Sequence, residues 1–211
     1  MIKKILLAFI FTFTLNYNSH AQISFTESAV SLGVETNYGF ILGGFGGGIS
    51  FCDFDGDGWD DLTFSTANGT EAKFFKNNSG TFTEIFLSGI TLETNETRQI
   101  TWVDYDNDAD KDLFIATFDG SNKLYQNNGS FSFADVTAAS GFDTALRTTY
   151  GCSWGDYNND GYLDAFLTFR DPTFSYPNKL YKNNGNGTFS DVSTSVGIDS
   201  ESHVSVLFSF F

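Results

Sequence analysis

The chain has 211 residues, a formal net charge of −15 and a pI near 4.2. Such an acidic protein is a poor partner for nucleic acids and for anionic membrane surfaces, because like charges repel. Aromatic residues make up 18% of the chain and there are only 2 prolines, which is unlike a disordered acidic tail. The abundance of Gly, Phe, Thr and Ser, without helix-periodic runs, predicts an all-β fold.

The first 21 residues have the order of segments typical of a secretory signal peptide. Lys3 and Lys4 precede an apolar run at residues 5–15, and residues 19–21 read Ser-His-Ala. The apolar run has about half of the roughly 20 residues that a membrane-spanning helix needs. We therefore expect cleavage after Ala21 and a secreted or cell-surface chain of bacterial type, with no membrane span in the mature protein. An uncleaved membrane anchor is the alternative.

An acidic nonapeptide then occurs three times. We call these segments loop 1 (residues 53–61, DFDGDGWDD), loop 2 (residues 104–112, DYDNDADKD) and loop 3 (residues 156–164, DYNNDGYLD). Their start points are 51 and 52 residues apart. Self-similarity at a fixed period of this length indicates stacked supersecondary units.

Each repeat continues in the same way after its loop. An apolar run is followed by a segment ending in Asn-Asn, a Phe-x-acidic segment and a Gly-apolar pair; in the first repeat these lie at residues 62–65, 73–78, 82–84 and 89–90. About four short β-rich runs per period, separated by Asn/Gly turns, predict four-stranded antiparallel blades of a β-propeller. Residues 23–33 resemble the last strand of an incomplete blade.

The loops have the pattern of an oxygen-rich cation site. Alternate side chains of a tight loop can point inward together, so acidic side chains at positions 1, 3, 5 and 9 and the backbone carbonyl of position 7 can converge on one ion. Calcium accepts six to eight such oxygens in a flexible geometry, whereas magnesium requires a strict octahedron. The predicted ligands are Asp53, Asp55, Asp57, Trp59 and Asp61 in loop 1, Asp104, Asp106, Asp108, Asp110 and Asp112 in loop 2, and Asp156, Asn158, Asp160, Tyr162 and Asp164 in loop 3.

Two other interpretations of the loops were weighed. An EF-hand needs a glutamate at position 12, but Phe64, Ile115 and Leu167 occupy that position. Simple acidic surface turns remain the alternative to a metal site. Because no basic residue stands near loop 1 in the sequence, we expect a bound cation to neutralise its carboxylates, and we expect the metal-free protein to be loosened or partly unfolded.

The three loops are not equivalent in composition. Loop 1 has the complete set of carboxylates and Gly58 at position 6, where a left-handed backbone is easy for glycine. Ala109 replaces this glycine in loop 2, and Asn158 removes one carboxylate from loop 3. Composition therefore predicts up to three calcium sites, with loop 1 the strongest.

Several repeated residues have a structural interpretation. The Asn-Asn pairs are expected to form hairpin turns, with a ligand-binding ladder as the alternative. Trp102 and Trp154, two residues before loops 2 and 3, are expected to pack between blades, with sugar stacking as the alternative. Cys52 and Cys152 are not at equivalent repeat positions, so two separate buried thiols are favoured over a disulfide.

With these residues laid out, the chain resembles the FG-GAP/VCBS repeats of integrin alpha subunits and secreted bacterial proteins. Residues 53–61 match the D-x-D-x-D-G-x-x-D signature in full, and the similarity extends over residues 22–211. The resemblance implies a propeller, commonly of seven blades, with calcium loops and roles in adhesion, ligand binding or support of an enzyme domain. Residues 209–211 align with residues 101–103, so the chain is expected to stop before a fourth loop, as a fragment of a longer propeller or a chain that must associate.

The function favoured by the sequence is a secreted, non-catalytic calcium-binding module that contacts an unknown protein or polysaccharide. The alternatives are the propeller part of a larger glycan lyase or hydrolase, and a structural spacer. The mature chain contains one histidine, His203, which lies in the C-terminal tail. A Ser-His-Asp or Cys-His arrangement within a blade is therefore not available. Of the 26 acidic residues, 13 lie in the three loops, where calcium-bound carboxylates are poor proton donors.

Overall fold

The computed structural model describes residues 25–34, 47–65, 70–90, 95–170 and 176–198. The predicted signal peptide and the tail expected to precede a fourth loop lie outside these residues. The described part is almost entirely β-structure, with one helical turn, α1. The elements are β1 Ile49–Cys52, β2 Asp61–Phe64, β3 Lys73–Asn77, β4 Phe82–Ile85, β5 Thr97–Val103, β6 Asp112–Thr117, β7 Lys123–Asn127, β8 Phe133–Asp135, β9 Thr149–Gly155, β10 Asp164–Phe169, β11 Lys179–Asn183, β12 Phe189–Asp191 and α1 Ser193–Val196.

The strands form three four-stranded antiparallel sheets in chain order, β1 to β4, β5 to β8 and β9 to β12. This confirms the prediction of all-β, four-stranded blades in an incomplete propeller array. We call the sheets blades 1, 2 and 3. Each acidic loop joins the first strand of its blade to the second, so the three loops occupy equivalent hairpins.

The first strands of the blades lie beside one another. Gln99 on β5 links the first strands of blades 2 and 3, because its side-chain amide both donates to the Cys152 carbonyl and accepts from the Cys152 N–H, each at 2.8 Å. A side chain that satisfies both backbone groups of one residue acts as a substitute strand partner, and it fixes β5 against β9.

Two apolar clusters fill the spaces between the sheets. The cluster between blades 1 and 2 includes Phe54, Trp102 and Phe133, and the cluster between blades 2 and 3 includes Phe114, with Trp154 packed against it. Both tryptophans therefore pack between blades, as expected. Trp102 stacks on Phe54 with ring centroids 4.7 Å apart.

A turn at the end of each repeat docks on the last strand of the following blade. The backbone N–H groups of Phe82, Phe133 and Phe189 donate to the carbonyls of Leu32, Ser88 and Ser140, each at 2.7 Å. We call these contacts the interblade turns. The prediction of a strand at residues 23–33 is wrong for the described part, since residues 25–34 form such a turn and no strand.

Other sequence-based expectations concern the cysteines and the membrane. Cys152 is buried in a core cluster, Cys52 is half-buried, and both are free thiols. This confirms the interpretation of two separate thiols.

Among the described residues, no helix has the length and apolar character required to cross a bilayer.

Candidate metal centre

The backbone of each loop is turned by left-handed residues at positions 4 and 6. Their φ angles lie between 58° and 90° at Gly56, Gly58, Asn107, Ala109, Asn159 and Gly161. The expectation that position 6 needs a positive φ is confirmed, and alanine there costs about 1–2 kcal/mol relative to glycine. Sequence reasoning missed position 4, although its Gly, Asn and Asn are the residues that tolerate this conformation best.

These turns direct backbone N–H groups toward the carboxylate at position 1. In loop 1, Asp53 accepts hydrogen bonds from the amides of Gly56 and Gly58, both at 2.8 Å. In loop 3, Asp156 accepts from Gly161 at 2.8 Å, and in loop 2, Asp104 accepts from Ala109 at 3.2 Å. The position-1 side chain therefore organises the loop around itself.

The aspartate at position 9 ties its loop to the blade. Asp61 is buried, and its two oxygens accept from the Phe54 N–H at 3.1 Å and from the Asn77 N–H at 2.8 Å. Asp112 and Asp164 accept from the equivalent amides in blades 2 and 3. This side chain therefore has a structural role that the spacing of acidic residues does not reveal.

The first asparagine of each Asn-Asn pair supports the hairpin turns. Asn77 donates to the Asp60 carbonyl at 2.8 Å and accepts from the Gly80 N–H at 2.7 Å. Asn127 and Asn183 make the same pair of contacts in the other blades. The turn interpretation is confirmed, but the left-handed residues follow the asparagines and are glycines, serines and Phe131. The asparagines contribute side-chain hydrogen bonds.

Carboxylate oxygens converge in two of the loops. Each of the groups Asp53, Asp55, Asp61 and Asp104, Asp106, Asp108 offers ligand atoms that lie within 4.8 Å of one another. Among the described residues, loop 3 has no such group of three acids, since asparagine stands at its position 3. This distribution agrees with the lower carboxylate count of loop 3.

Loop 1 has a basic neighbour that the sequence analysis did not expect. The Lys76 ammonium contacts Oδ2 of Asp55 and lies 2.7 Å from Asp57 Oδ2. The hydrogen bond from Lys76 holds the pKa of Asp57 below its usual value. The expectation that no basic residue neutralises loop 1 is therefore wrong. Lys76 lies 21 residues beyond Asp55 in the sequence, and the pairing of β2 with β3 brings the two side chains together.

Loop 2 has no comparable ion pair among the described residues. Gln126 occupies the place of Lys76 and donates to Asp106 Oδ2 at 2.7 Å. Three oxygens of the described loop are buried and accept no hydrogen bond, namely Oδ1 of Asp104, Asp106 and Asp110. Burial raises the pKa of Asp110 to about 6 and that of Asp112 to about 7, and neighbouring carboxylates add to both shifts.

Loop 3 is intermediate in its contacts. Lys182 lies 3.3 Å from Asp160 Oδ2, and Asn158 donates to the same oxygen at 2.9 Å. Desolvation alone would raise the pKa of Asp160, but the hydrogen bonds from Asn158, the Tyr162 N–H and Lys182 together outweigh it and hold this pKa below its usual value. Loop 3 thus has fewer carboxylates than the other two loops, and its lysine pairs with one of them, whereas Lys76 pairs with two in loop 1.

The residues fit a hard, oxygen-liganded cation. Buried carboxylate oxygens without partners are costly in a protein, and a divalent ion with six to eight oxygen ligands would satisfy them. The described residues contain no histidine, and the two cysteines lie in the blades, which disfavours metals that need nitrogen or sulfur. Asp104, Asp106 and Asp108 would hold such an ion in loop 2.

A cleft of about 570 Å³ opens between loop 1 and the β7–β8 hairpin. Its lining includes Lys76, Lys111 and Phe131. Phe131 has a φ of 59°, and it occupies the hairpin position at which blade 3 has Gly187 with a φ of 78°. A bulky residue in this conformation is strained, which marks the hairpin as unusual among the three.

Comparisons with known proteins agree with this geometry. A family model described as an FG-GAP-like repeat matches residues 53–115 and residues 104–167, each match beginning at the first aspartate of a loop. Cartilage acidic protein 1 of Xenopus tropicalis is 30% identical over 91 residues, which are 42% of this chain and 13% of that protein. The chain thus spans a small part of that relative. The family matches together cover more than half of the 211 residues, and the chain belongs to the FG-GAP-like repeat family.

Proposed function

We propose that this chain is a secreted, non-catalytic repeat module whose acidic loops bind calcium and whose blades present a surface to a partner outside the cell. The predicted signal peptide and the family membership support the extracellular setting. The equivalent position of the three loops and the convergence of carboxylates in loops 1 and 2 support a metal-binding role, since simple acidic turns would have no reason to keep their carboxylates convergent.

The observation that carries the calcium proposal is the set of unpartnered oxygens in loop 2. Asp104, Asp106 and Asp110 each bury one carboxylate oxygen that accepts no hydrogen bond within the described residues. Leaving a buried acceptor without a partner costs about 1–3 kcal/mol, and more when it is charged. A calcium ion held by Asp104, Asp106 and Asp108 would compensate the unpartnered oxygens of the first two, so its binding would add directly to the free energy of folding.

Calorimetric titration and thermal unfolding of the purified chain test the proposal. We expect calcium to bind and to raise the midpoint of unfolding by about 10 °C at millimolar concentration, with magnesium giving a much smaller shift. The Asp104→Asn variant serves to assign the effect to loop 2 and should lose part of the shift. Equal unfolding midpoints in chelator, magnesium and calcium, together with no heat of binding, would show that the loops are simple acidic turns.

A glycan lyase or hydrolase and a structural spacer remain the alternatives. Glycan-degrading activity that survived in a variant with Asp53→Ala and Asp61→Ala would support catalysis independent of the calcium loops. A module that binds calcium but no protein or polysaccharide would support the spacer.

The cleft between loop 1 and the β7–β8 hairpin is the surface we propose for a polysaccharide partner. Phe131 is 37% exposed there and contacts Phe54 edge to face, with ring centroids 6.4 Å apart. An exposed aromatic ring beside charged side chains matches the amphipathic character of a sugar ring. Retention of strain at Phe131 also suggests a role that outweighs its cost to folding.

The Phe131→Gly variant separates binding from folding. Glycine relieves the left-handed strain but loses the contact of the ring with Phe54, so the free energy of unfolding should change by less than about 1 kcal/mol. Binding to a panel of immobilised neutral and acidic polysaccharides should fall at the same time. Unchanged binding would exclude this cleft, and binding to a protein ligand alone would replace the polysaccharide proposal.

A further inference from the structure

The residue just before the buried asparagine of β3, β7 and β11 occupies one equivalent place in each blade. It is Lys76 in blade 1, Gln126 in blade 2 and Lys182 in blade 3. The equivalence is structural, because the following asparagine donates its backbone N–H to the position-9 aspartate in every blade. The side chain at this place points to the acidic loop of its own blade.

In loop 1 this side chain completes the hydrogen bonding of the carboxylates. The Lys76 ammonium contacts Oδ2 of both Asp55 and Asp57. The remaining oxygens of these two residues accept backbone amides, at 3.2 Å for Asp55 Oδ1 and 2.9 Å for Asp57 Oδ1. Both oxygens of Asp53 also accept backbone amides. Loop 1 is therefore satisfied without a metal.

In loop 2 the equivalent side chain carries no charge. Of the carboxylates in the described loop, Gln126 hydrogen-bonds to that of Asp106, at 2.7 Å, and the buried Oδ1 atoms of three aspartates there keep no partner. The two loops thus offer similar groups of carboxylates to an ion, but one group already holds a tethered cation and the other does not.

A divalent ion and an ammonium group bound to the same two carboxylates repel each other, so the ammonium lowers the affinity of the carboxylates for calcium. Calcium held by Asp55 and Asp57 therefore competes with both ion pairs of Lys76. The Lys76 side chain is 27% exposed, so its ammonium has access to solvent when calcium displaces it. The energy of the lost ion pairs makes calcium binding at loop 1 less favourable. Loop 2 has no such ion pair to lose among the described residues.

We propose that the residue at this place sets the order in which the loops bind calcium: Lys76 is a tethered counterion that calcium must displace, so loop 2 fills first and loop 1 fills only at higher calcium concentration. This inference rests on the proposed calcium function. It reverses the ranking expected from composition, in which loop 1 was the strongest. Lys182, which is 3.3 Å from a single carboxylate oxygen, acts in the same way but more weakly in loop 3.

The test is a calorimetric calcium titration of the full chain at about 0.15 M salt, where exposed charges are screened. The wild type should show a tight and a weaker phase whose dissociation constants differ by about tenfold or more. Asp53→Asn should remove a weaker phase and Asp104→Asn the tight one. Lys76→Gln should tighten the loop 1 phase by about tenfold, and Gln126→Lys should weaken the loop 2 phase by a similar factor.

Lys73→Gln is the matched control, since it removes the same charge from the same strand. Lys73 pairs with Glu84 at 3.3 Å and contacts no loop carboxylate in the described part of the chain. Its calcium titration should match the wild type. If Lys76→Gln and Lys73→Gln changed the calcium affinity equally, the effect would come from net charge and not from the contact of Lys76 with loop 1. That result would overturn the inference and leave calcium binding itself unaffected. No binding by the wild type would overturn the proposed function itself.

Discussion

Gly89 packs so closely against Phe133 that a Cβ on Gly89 would lie 1.8 Å from the Phe133 carbonyl oxygen. The glycine has a φ of 85°, and its neighbour Ser88 exchanges backbone hydrogen bonds with the β7–β8 hairpin of blade 2. The chain that ends repeat 1 is therefore part of blade 2. Gly33 and Gly141 make the same approach to Phe82 and Phe189.

The first prediction concerns this interblade turn. Gly89→Ala must displace the backbone of either the turn or β8, and we expect it to lower the free energy of unfolding by about 3 kcal/mol or more. Gly197→Ala is the control, because Gly197 has a similar φ of 79° and nothing within 4 Å of its Cβ position among the described residues. It should cost about 1–2 kcal/mol. Urea unfolding measures both, and equal losses would show that backbone conformation alone matters.

The second prediction separates charge from scaffolding in loop 2. Asp106→Asn keeps an acceptor for Gln126 and removes one charge from the group, so metal-free stability should rise by about 1 kcal/mol while the calcium response of loop 2 is lost. Asp112→Asn turns an amide nitrogen toward a backbone N–H and should lower stability by about 1–3 kcal/mol.

Thermal unfolding in chelator and in calcium measures these effects. Asp60→Asn, on an exposed side chain of loop 1, is the control and should change stability by less than about 0.5 kcal/mol. A gain in metal-free stability at Asp112→Asn would contradict the scaffolding role.

The third prediction follows from the raised pKa values of Asp110 and Asp112, about 6 and about 7. Without metal the folded state binds more protons than the unfolded state between about pH 4 and pH 7, so stability falls as the pH rises through this range. We expect the unfolding midpoint of metal-depleted protein to drop by about 5 °C from pH 5 to pH 7.5.

Differential scanning calorimetry after passage over a chelating resin measures this drop. Millimolar calcium should reduce it, because a bound cation stabilises the ionised carboxylates. A midpoint that rises from pH 5 to pH 7.5 without metal would contradict the burial of these two groups.

The fourth prediction concerns the hydrogen bond between blades 1 and 2. Trp102 Nε1 donates to Thr63 Oγ1 at 2.9 Å, and both residues are buried. Trp102→Phe and Thr63→Val should each destabilise the fold, and their double-mutant cycle should give a coupling energy of about 1 kcal/mol. Chemical denaturation measures the cycle; a coupling near zero would mean that the tryptophan acts through its ring packing alone.

The repeated pattern of the sequence was sufficient to predict the blades and the convergence of carboxylates in loops 1 and 2. A period of 51 and 52 residues carries the acidic loop, the Asn-Asn turn and an aromatic residue (Phe51, Trp102 or Trp154) together, and these features depend on local residue order. The positive φ at Ala109 could be predicted for the same reason, from glycines at the equivalent positions.

The features that sequence reasoning missed depend on contacts across strands. Lys76 meets Asp55 only because β2 pairs with β3, and Asp61 reaches the Asn77 amide through the same pairing. Residues 25–34 look like a strand in composition, but their backbone partner is Phe82 in another repeat. The spacing of residues within one repeat does not contain this information.

The interblade turns do not coincide with the boundaries of the sequence repeats, because the turn that ends one repeat is hydrogen-bonded to the next blade. Among the described residues, all three interblade turns use the same glycine geometry and the same backbone hydrogen bond, so these backbone contacts do not depend on which repeat supplies the turn. Loss or duplication of one whole period would therefore keep every remaining turn together with a strand that can accept it, whereas removal of part of a period would separate them. A gene for such an array can change its length in whole periods without a new backbone contact having to evolve.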